Sequence, residues 1–282
     1  MTMTSLKIAV MLGNLKMDPY EGMKKIAEMG VPGVHISVHG GIFDPEKLDK
    51  PARKKLLNYI KGLGLDISAV SAWGGDVDLC ESEGAERNVA WAKRILDLAV
   101  DLGTGIWQAH VGIIPRDRSS PRWRTLLKNI GEISKYAEDV GACLAVETGP
   151  EPPTILKTLI ETVGSNGLKV NYDPANLILW PALLIEGTNE KYDREKALRE
   201  YMPVEGVKIL GKYIVHTHAK DAIVTSDHQP KEVPLGQGWI DWPRYVKYLK
   251  EEGFNGYFAI ERETGEDPMG DITKAVDFLK GL

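Results

Sequence analysis

Cysteine is nearly absent from this chain: Cys80 and Cys143 are the only two among 282 residues. Two thiols build no disulfide framework, and their scarcity fits a reducing compartment. There is no Lys/Arg run and no basic tail, and the formal charge of −5 is spread over interspersed acids and bases. Such a pattern gives no support to nucleic-acid or anionic-membrane binding. No apolar run approaches the roughly 18 residues that a membrane span needs. The opening residues 1–7 lack an apolar signal core, so a cytoplasmic location is the expectation. Low-complexity stretches and Pro/Gly-rich linkers are missing too, and the chain is expected to form a single domain over residues 1–282. A dinucleotide fingerprint is also lacking: the first strand runs into Leu12-Gly-Asn-Leu-Lys16, which does not match G-x-G-x-x-G. No glycine loop of the phosphate-cradling kind occurs, which favours an unphosphorylated ligand.

What is present is a regular alternation. Short β-rich runs are followed by amphipathic, charged segments from end to end. The expected strands are Lys7–Leu12, Gly33–Val38, Leu65–Ala72, Gly105–Val111, Cys143–Glu147, Leu168–Tyr172, Tyr213–His218 and Tyr257–Glu261. Helices are expected at Tyr20–Met29, Pro51–Lys61, Gly84–Leu102, Arg122–Val140, Thr154–Val163, within Arg194–Leu210, at Trp242–Glu252 and at Asp271–Leu282. Within the third helix, Val89, Ala92, Leu96 and Ala99 recur at helical spacing. Eight strand–helix units imply a parallel sheet with right-handed crossovers. On this length, and with 43% apolar residues for the core, they favour an α/β (β/α)8 TIM barrel over an open sheet.

Catalysis in such a barrel sits at the C-terminal ends of the strands. The late strands all end in potential metal ligands. The fifth ends Ala145-Val-Glu147, the sixth Val170-Asn-Tyr-Asp173-Pro-Ala-Asn176, the seventh His216-Thr-His218 and the eighth Ala259-Ile-Glu261-Arg-Glu263. Side chains alternate along a strand, so His216, His218 and Lys220 share one face, as do Cys143, Ala145 and Glu147. Carboxylates converging on an imidazole repel one another unless a cation neutralises them. An oxygen-rich set with nitrogen suits one divalent ion, Mn2+ first, with Mg2+, Co2+ or Zn2+ as alternatives.

Several stretches resemble the xylose-isomerase-like barrel superfamily of sugar isomerases and epimerases, which includes ketose 3-epimerases and inosose dehydratases. They are Val146-Glu-Thr148, Asn171-Tyr-Asp-Pro-Ala-Asn176, Val215-His-Thr-His-Ala-Lys-Asp221, Pro234-Leu-Gly-Gln-Gly-Trp-Ile-Asp241 and Gly256-Tyr-Phe-Ala-Ile-Glu261. The resemblance implies that Glu147, Asp173, His218 and Glu261 hold the metal, and that the substrate is a small sugar or sugar derivative. It also implies a metal-stabilised enediolate, with Glu147 and Glu261 as the acid/base pair on opposite faces of the reacting carbon. The same enediolate serves an inosose-dehydratase-like lyase, which is the alternative activity. This chain departs from the ketose epimerase pattern at three places. Asn176 stands where a histidine is common, Val224 lies near the place of an arginine, and Pro153 stands where a substrate-contacting glutamate is found. The superfamily also includes apurinic endonucleases, but Asn176 and the Asp227-His228 spacing remove metal ligands that those enzymes need.

Further candidates surround this set. His110, Asn176, Lys220 and Trp73 are expected to touch substrate; Lys220 has a rival partner in Asp221. Trp239 and Trp242 either wall the pocket or pack under a loop. His35 is core or pocket, and His39 follows it in a loop. The segment Leu177–Asp193 is a candidate lid over the site or a contact between subunits of a homo-oligomer.

Overall fold

The computed structural model describes residues 5–73 and 77–282. Eight parallel strands close into a barrel: β1 (Lys7–Met11), β2 (Gly33–Ser37), β3 (Asp66–Ser71), β4 (Ile106–Ala109), β5 (Cys143–Glu147), β6 (Leu168–Tyr172), β7 (Ile214–Ala219) and β10 (Tyr257–Ile260). The order around the barrel is β1-β10-β7-β6-β5-β4-β3-β2, with β2 returning to β1. This is the expected (β/α)8 architecture. Around it lie α1 (Pro19–Glu28), α2 (Lys50–Gly62), α3 (Ala85–Asp101), α4 (Pro121–Asp139), α5 (Pro153–Val163), α6 (Asn176–Leu183), α7 (Arg194–Tyr201), α8 (Gly206–Leu210), α9 (Trp242–Glu251) and α10 (Pro268–Lys280). No helix among the described residues is long and apolar enough to cross a membrane.

Local chemistry sets the helix limits. Asp18, Asp49, Ser120, Asp241 and Asp267 each cap a helix through a side-chain oxygen, and each of those helices has proline in its first two positions. The cap accepts an otherwise orphaned amide, and proline has none to lose there. At the far ends of α3 and α4 the chain reverses through Gly103 (φ 76°) and Gly141 (φ 74°), a left-handed conformation that glycine adopts without strain.

Two features were not anticipated. A helix, α6, starts at Asn176 shortly after β6 and runs into the segment expected to be a lid or a subunit contact; Asn176, Leu177 and Ile178 are buried. Its sequence, Asn-Leu-Ile-Leu-Trp-Pro-Ala-Leu, is apolar on nearly all sides, so it lacks the amphipathic period by which a surface helix is read. Two further helices, α7 and α8, occupy the stretch where one was expected. The second surprise is an antiparallel hairpin, β8 (Asp221–Val224) with β9 (Pro230–Val233), inserted after β7 and packed against α6.

The loop that leads from this hairpin into α9 is held by one carboxylate. Asp221 is buried and accepts hydrogen bonds from the amides of Gly236, Gly238, Ile240 and Ala222 and from Trp242 Nε1 at 2.9–3.4 Å. Trp242 therefore packs beneath the loop. A Cβ at Gly238 would run into Asp221 and the Ala222 carbonyl, which accounts for glycine there. Asp221→Ala would strand several buried donors, each costing about 1–3 kcal/mol. A loss of at least about 3 kcal/mol in urea unfolding is expected; an unchanged midpoint would show that the loop holds itself.

Candidate metal centre and active site

Glu147 ends β5, Asp173 follows β6, His218 lies in β7 and Glu261 follows β10. One ligand atom from each lies within 4.8 Å of the others, and all four residues are buried. His218 Nδ1 is 3.2 Å from Glu147 Oε1, 3.2 Å from Glu261 Oε2 and 3.6 Å from Asp173 Oδ2. Alternation along β7 turns His216 and His218 into the barrel, while Thr217 faces outward to Tyr245 of α9. Beneath the carboxylates, Ala145 and Ala259 fill the interior with little bulk, and Ala259 stands in register with His218.

Each carboxylate is aimed by its neighbours. Asp173 Oδ1 accepts the amides of Ala175 (2.8 Å) and Asn176 (3.0 Å) at the start of α6. Its Oδ2, turned to the cluster, is buried with no hydrogen-bond partner among the described residues. Thr148 couples the ends of β5 and β6: its hydroxyl donates to the Asp173 carbonyl and accepts the Asp173 amide, both at 2.8 Å. Asn176 Nδ2 donates to Glu147 Oε1 at 2.8 Å and to the Thr148 carbonyl at 3.2 Å. Gln108 Nε2 donates to Glu147 Oε2, and His110 Nε2 lies 3.4 Å from the same oxygen. Lys220 Nζ donates to Glu261 Oε2 at 3.0 Å and also to Glu263. Its partners are thus the eighth-strand carboxylates and not Asp221.

The charges do not balance within the protein. Burial opposes ionisation of every acid here, yet His110 and His218 hold Glu147 below the usual carboxylate range. Lys220 and His218 likewise outweigh burial at Glu261 and hold it well below that range. Asp173 is left over: burial, only partly offset by His218 and Lys220, raises it to about 6. Burial disfavours charge on His218 too, but Glu261 and Glu147 overcome it and push the imidazole well above its ordinary value. Three acids around one imidazole, with an orphaned oxygen aimed inward, are a donor set that fits a divalent cation.

Three residues bear on the site without having been singled out from sequence: Gln108, Thr148 and Asn171. Gln108 carried a usable signal, since it sits two residues before His110 and so faces the same way. Asn171 stands opposite His216 because the β6–β7 register slips by one residue between Val170 and Asn171, which no local pattern reveals. Trp73 adopts φ 63° and is buried against Trp107 and Trp91, with ring centroids at 4.9 and 6.2 Å. His35 is buried, and desolvation with the nearby His218 lowers it to about 3, so it is neutral. His39 lies tilted against Trp91, with ring centroids 5.5 Å apart. Trp239 carries the Arg194 guanidinium 3.9 Å above its ring. A cavity of about 590 Å3 opens at the other end of the barrel, lined by Asp66, Ser68, Thr104 and Tyr257 among others, and contains none of the four clustered residues.

The family model described as xylose isomerase-like TIM barrel matches residues 23–282. The chain belongs to that family. An L-ribulose-5-phosphate 3-epimerase, UlaE, of Shigella flexneri serotype 5b is 40% identical over 70 residues, which is 24% of this chain and 24% of that one. The chain thus matches about a quarter of the length of such curated relatives. Among solved structures, a xylose isomerase domain protein from Planctomyces limnophilus superposes with a TM-score of 0.79 at 23% identity, covering 99% of this chain and 97% of that one. A D-psicose 3-epimerase with D-tagatose from Clostridium cellulolyticum H10 gives 0.72 at 15% identity, covering 98% and 99%.

Glu151 offers a pH test clear of the four clustered residues. It is buried in the loop after β5, one carboxylate oxygen has no partner, and burial raises it to about 8. The folded state therefore holds this proton to higher pH than the unfolded chain. Its contribution is full below the unfolded value near 4.5 and is lost as pH rises toward about 8. Glu151→Gln should flatten this loss, gaining on the order of 3 kcal/mol over the wild type between pH 5 and 8. Parallel slopes of unfolding free energy against pH for the two proteins would contradict the assignment.

Proposed function

We propose that the protein is a metal-dependent sugar epimerase or isomerase acting on a keto-sugar or related polyol through an enediolate. The observation that carries this reading is the placement of Glu147 and Glu261 on either side of His218, each 3.2 Å from its Nδ1. They come from β5 and β10, with β6 and β7 between them, so they reach a bound substrate from two directions. The 3-epimerase named among the partial relatives and the 3-epimerase among the structural neighbours support the same class.

A divalent cation held by Glu147, Asp173, His218 and Glu261, Mn2+ first, would supply Lewis-acid polarisation of a carbonyl and its neighbouring hydroxyl. The chain's own groups do the proton work. Glu147, kept ionised, removes the proton α to the carbonyl as a base. His110 lies beside it and is about a quarter exposed, placed to hold a substrate oxygen. On the opposite face Glu261 relays to the carbon a proton supplied by Lys220, which donates to Glu261 Oε2. Asn176 and Gln108 fix Glu147 rather than leaving it to swing. Trp73, at the end of β3, is proposed as apolar wall. The lyase alternative uses the same proton abstraction, with His110 or Lys220 protonating a departing β-hydroxyl.

The deciding experiment is turnover of a ketose and keto-inositol panel in heavy water by metal-loaded protein. Deuterium should enter at the inverted carbon; release of water with loss of a hydroxyl moves the assignment to the lyase. Glu147→Gln and Glu261→Gln should each lower turnover by about 10²–10⁴-fold, and Asp173→Ala should lose metal while the fold remains. Product formed without exchange, by variants of undiminished activity, would end the two-base reading.

A further inference from the structure

A line of buried polar groups runs from the candidate metal centre down into the barrel. His218 Nε2 lies 3.2 Å from the Asn171 side-chain amide. The other end of that amide is 2.8 Å from His216 Nδ1. His216 Nε2 is 3.2 Å from Ser68 Oγ, and Ser68 Oγ donates to the Val34 carbonyl at 3.4 Å. His218, Asn171 and His216 are fully buried and Ser68 is 2% exposed, so bulk water does not compete for these bonds. Four strands contribute: β2, β3, β6 and β7.

The direction of the chain follows from its ends. A metal on His218 Nδ1 needs the lone pair of that nitrogen, so the ring hydrogen must sit on Nε2. Nε2–H then donates, and the amide must turn its oxygen to His218 and its NH2 to His216. This is a half-turn that exchanges two isosteric ends and leaves the separations of 3.2 and 2.8 Å in place. His216 accepts at Nδ1 and donates from Nε2 to Ser68, whose hydroxyl donates to Val34. The Val34 carbonyl can only accept, so the last link closes without a clash. Each link then pairs a donor with an acceptor, and His218 presents a bare Nδ1 to the carboxylates.

We infer that Asn171 and His216 are positioning residues that hold His218 as its Nε2–H tautomer for the metal, although neither belongs to the ligand set. The inference rests on the metal-centre reading. An outer partner that fixes the tautomer and the ring plane of a ligating histidine typically accounts for 10–100-fold in metal affinity.

Nitrogen-15 spectra of Mg2+-loaded, histidine-labelled protein test the chain directly. Both His218 and His216 should carry hydrogen on Nε2, and His216 Nδ1 should be bare; hydrogen on His216 Nδ1 overturns the inference. Titration with Mn2+ gives the second arm. Asn171→Leu should weaken binding about 10–100-fold. Asn171→Asp still accepts from His218 Nε2–H but offers His216 no donor. It should retain affinity while the His216 hydrogen moves to Nδ1. A purely space-filling Asn171 predicts the reverse order, with leucine tolerated and a buried carboxylate harmful. Equal affinity of wild type and Asn171→Leu overturns the chain alone. No binding of Mg2+ or Mn2+ to the wild type overturns the metal-centre reading and the chain with it. Should Asn171→Leu fail to fold, the wild-type tautomer decides.

Discussion

Repulsion among Glu147, Asp173 and Glu261 is the constraint around which the upper barrel is arranged. Three carboxylates that leave water together cannot all stay charged without cations near them. The protein provides His218 at the centre, Lys220 at one side and His110 beside Glu147, and the surrounding acids raise His218 and Lys220 above their ordinary values. The remaining imbalance appears at Asp173 and its unpartnered oxygen. A neutral replacement for any one acid would relieve this tension, which is the physical ground for proposing a cation there.

Rigid support keeps the acids from relaxing apart. Asp173 is tied to the first turn of α6, Thr148 ties β5 to β6, and Asn176 returns from α6 to Glu147. The apolar helix α6 is thus part of the site's framework, with its start clamped by the very residue it helps to aim. Lys220 plays the matching part on the other side, between Glu261 and Glu263. Preorganisation of this kind would let the proposed proton transfer proceed without first rearranging charged side chains.

Much of this was legible in the sequence, and the reasons differ by level. Strand ends such as Ala145-Val-Glu147 and His216-Thr-His218 announce themselves because a polar residue ends an apolar run and period-two alternation gives its face. The barrel followed from eight such runs separated by helical patterns. The hairpin β8–β9 was not legible: β9 is Pro-Lys-Glu-Val, which opens on proline and carries two charges, so no apolar run announces it. Asp221 looked like a partner for Lys220, whereas its acceptors are consumed by loop amides that have no side-chain signature. Gln108, Asn171 and Ser68 escaped because their importance depends on which strand lies beside which, and on register slips at Val34/His35 and Val170/Asn171.

The seam of the barrel has a consequence for how the chain is made. Lys7 of β1 pairs with Tyr257 of β10, so the first barrel strand waits on the ribosome for the last. Until β10 emerges, β1 and β7 each present an open edge, a ready template for pairing with another chain. Glu261 comes immediately after that strand. The nascent protein thus gathers two of its buried acids around His218 before the third arrives, and closure of the sheet and completion of the charge cluster become one late event.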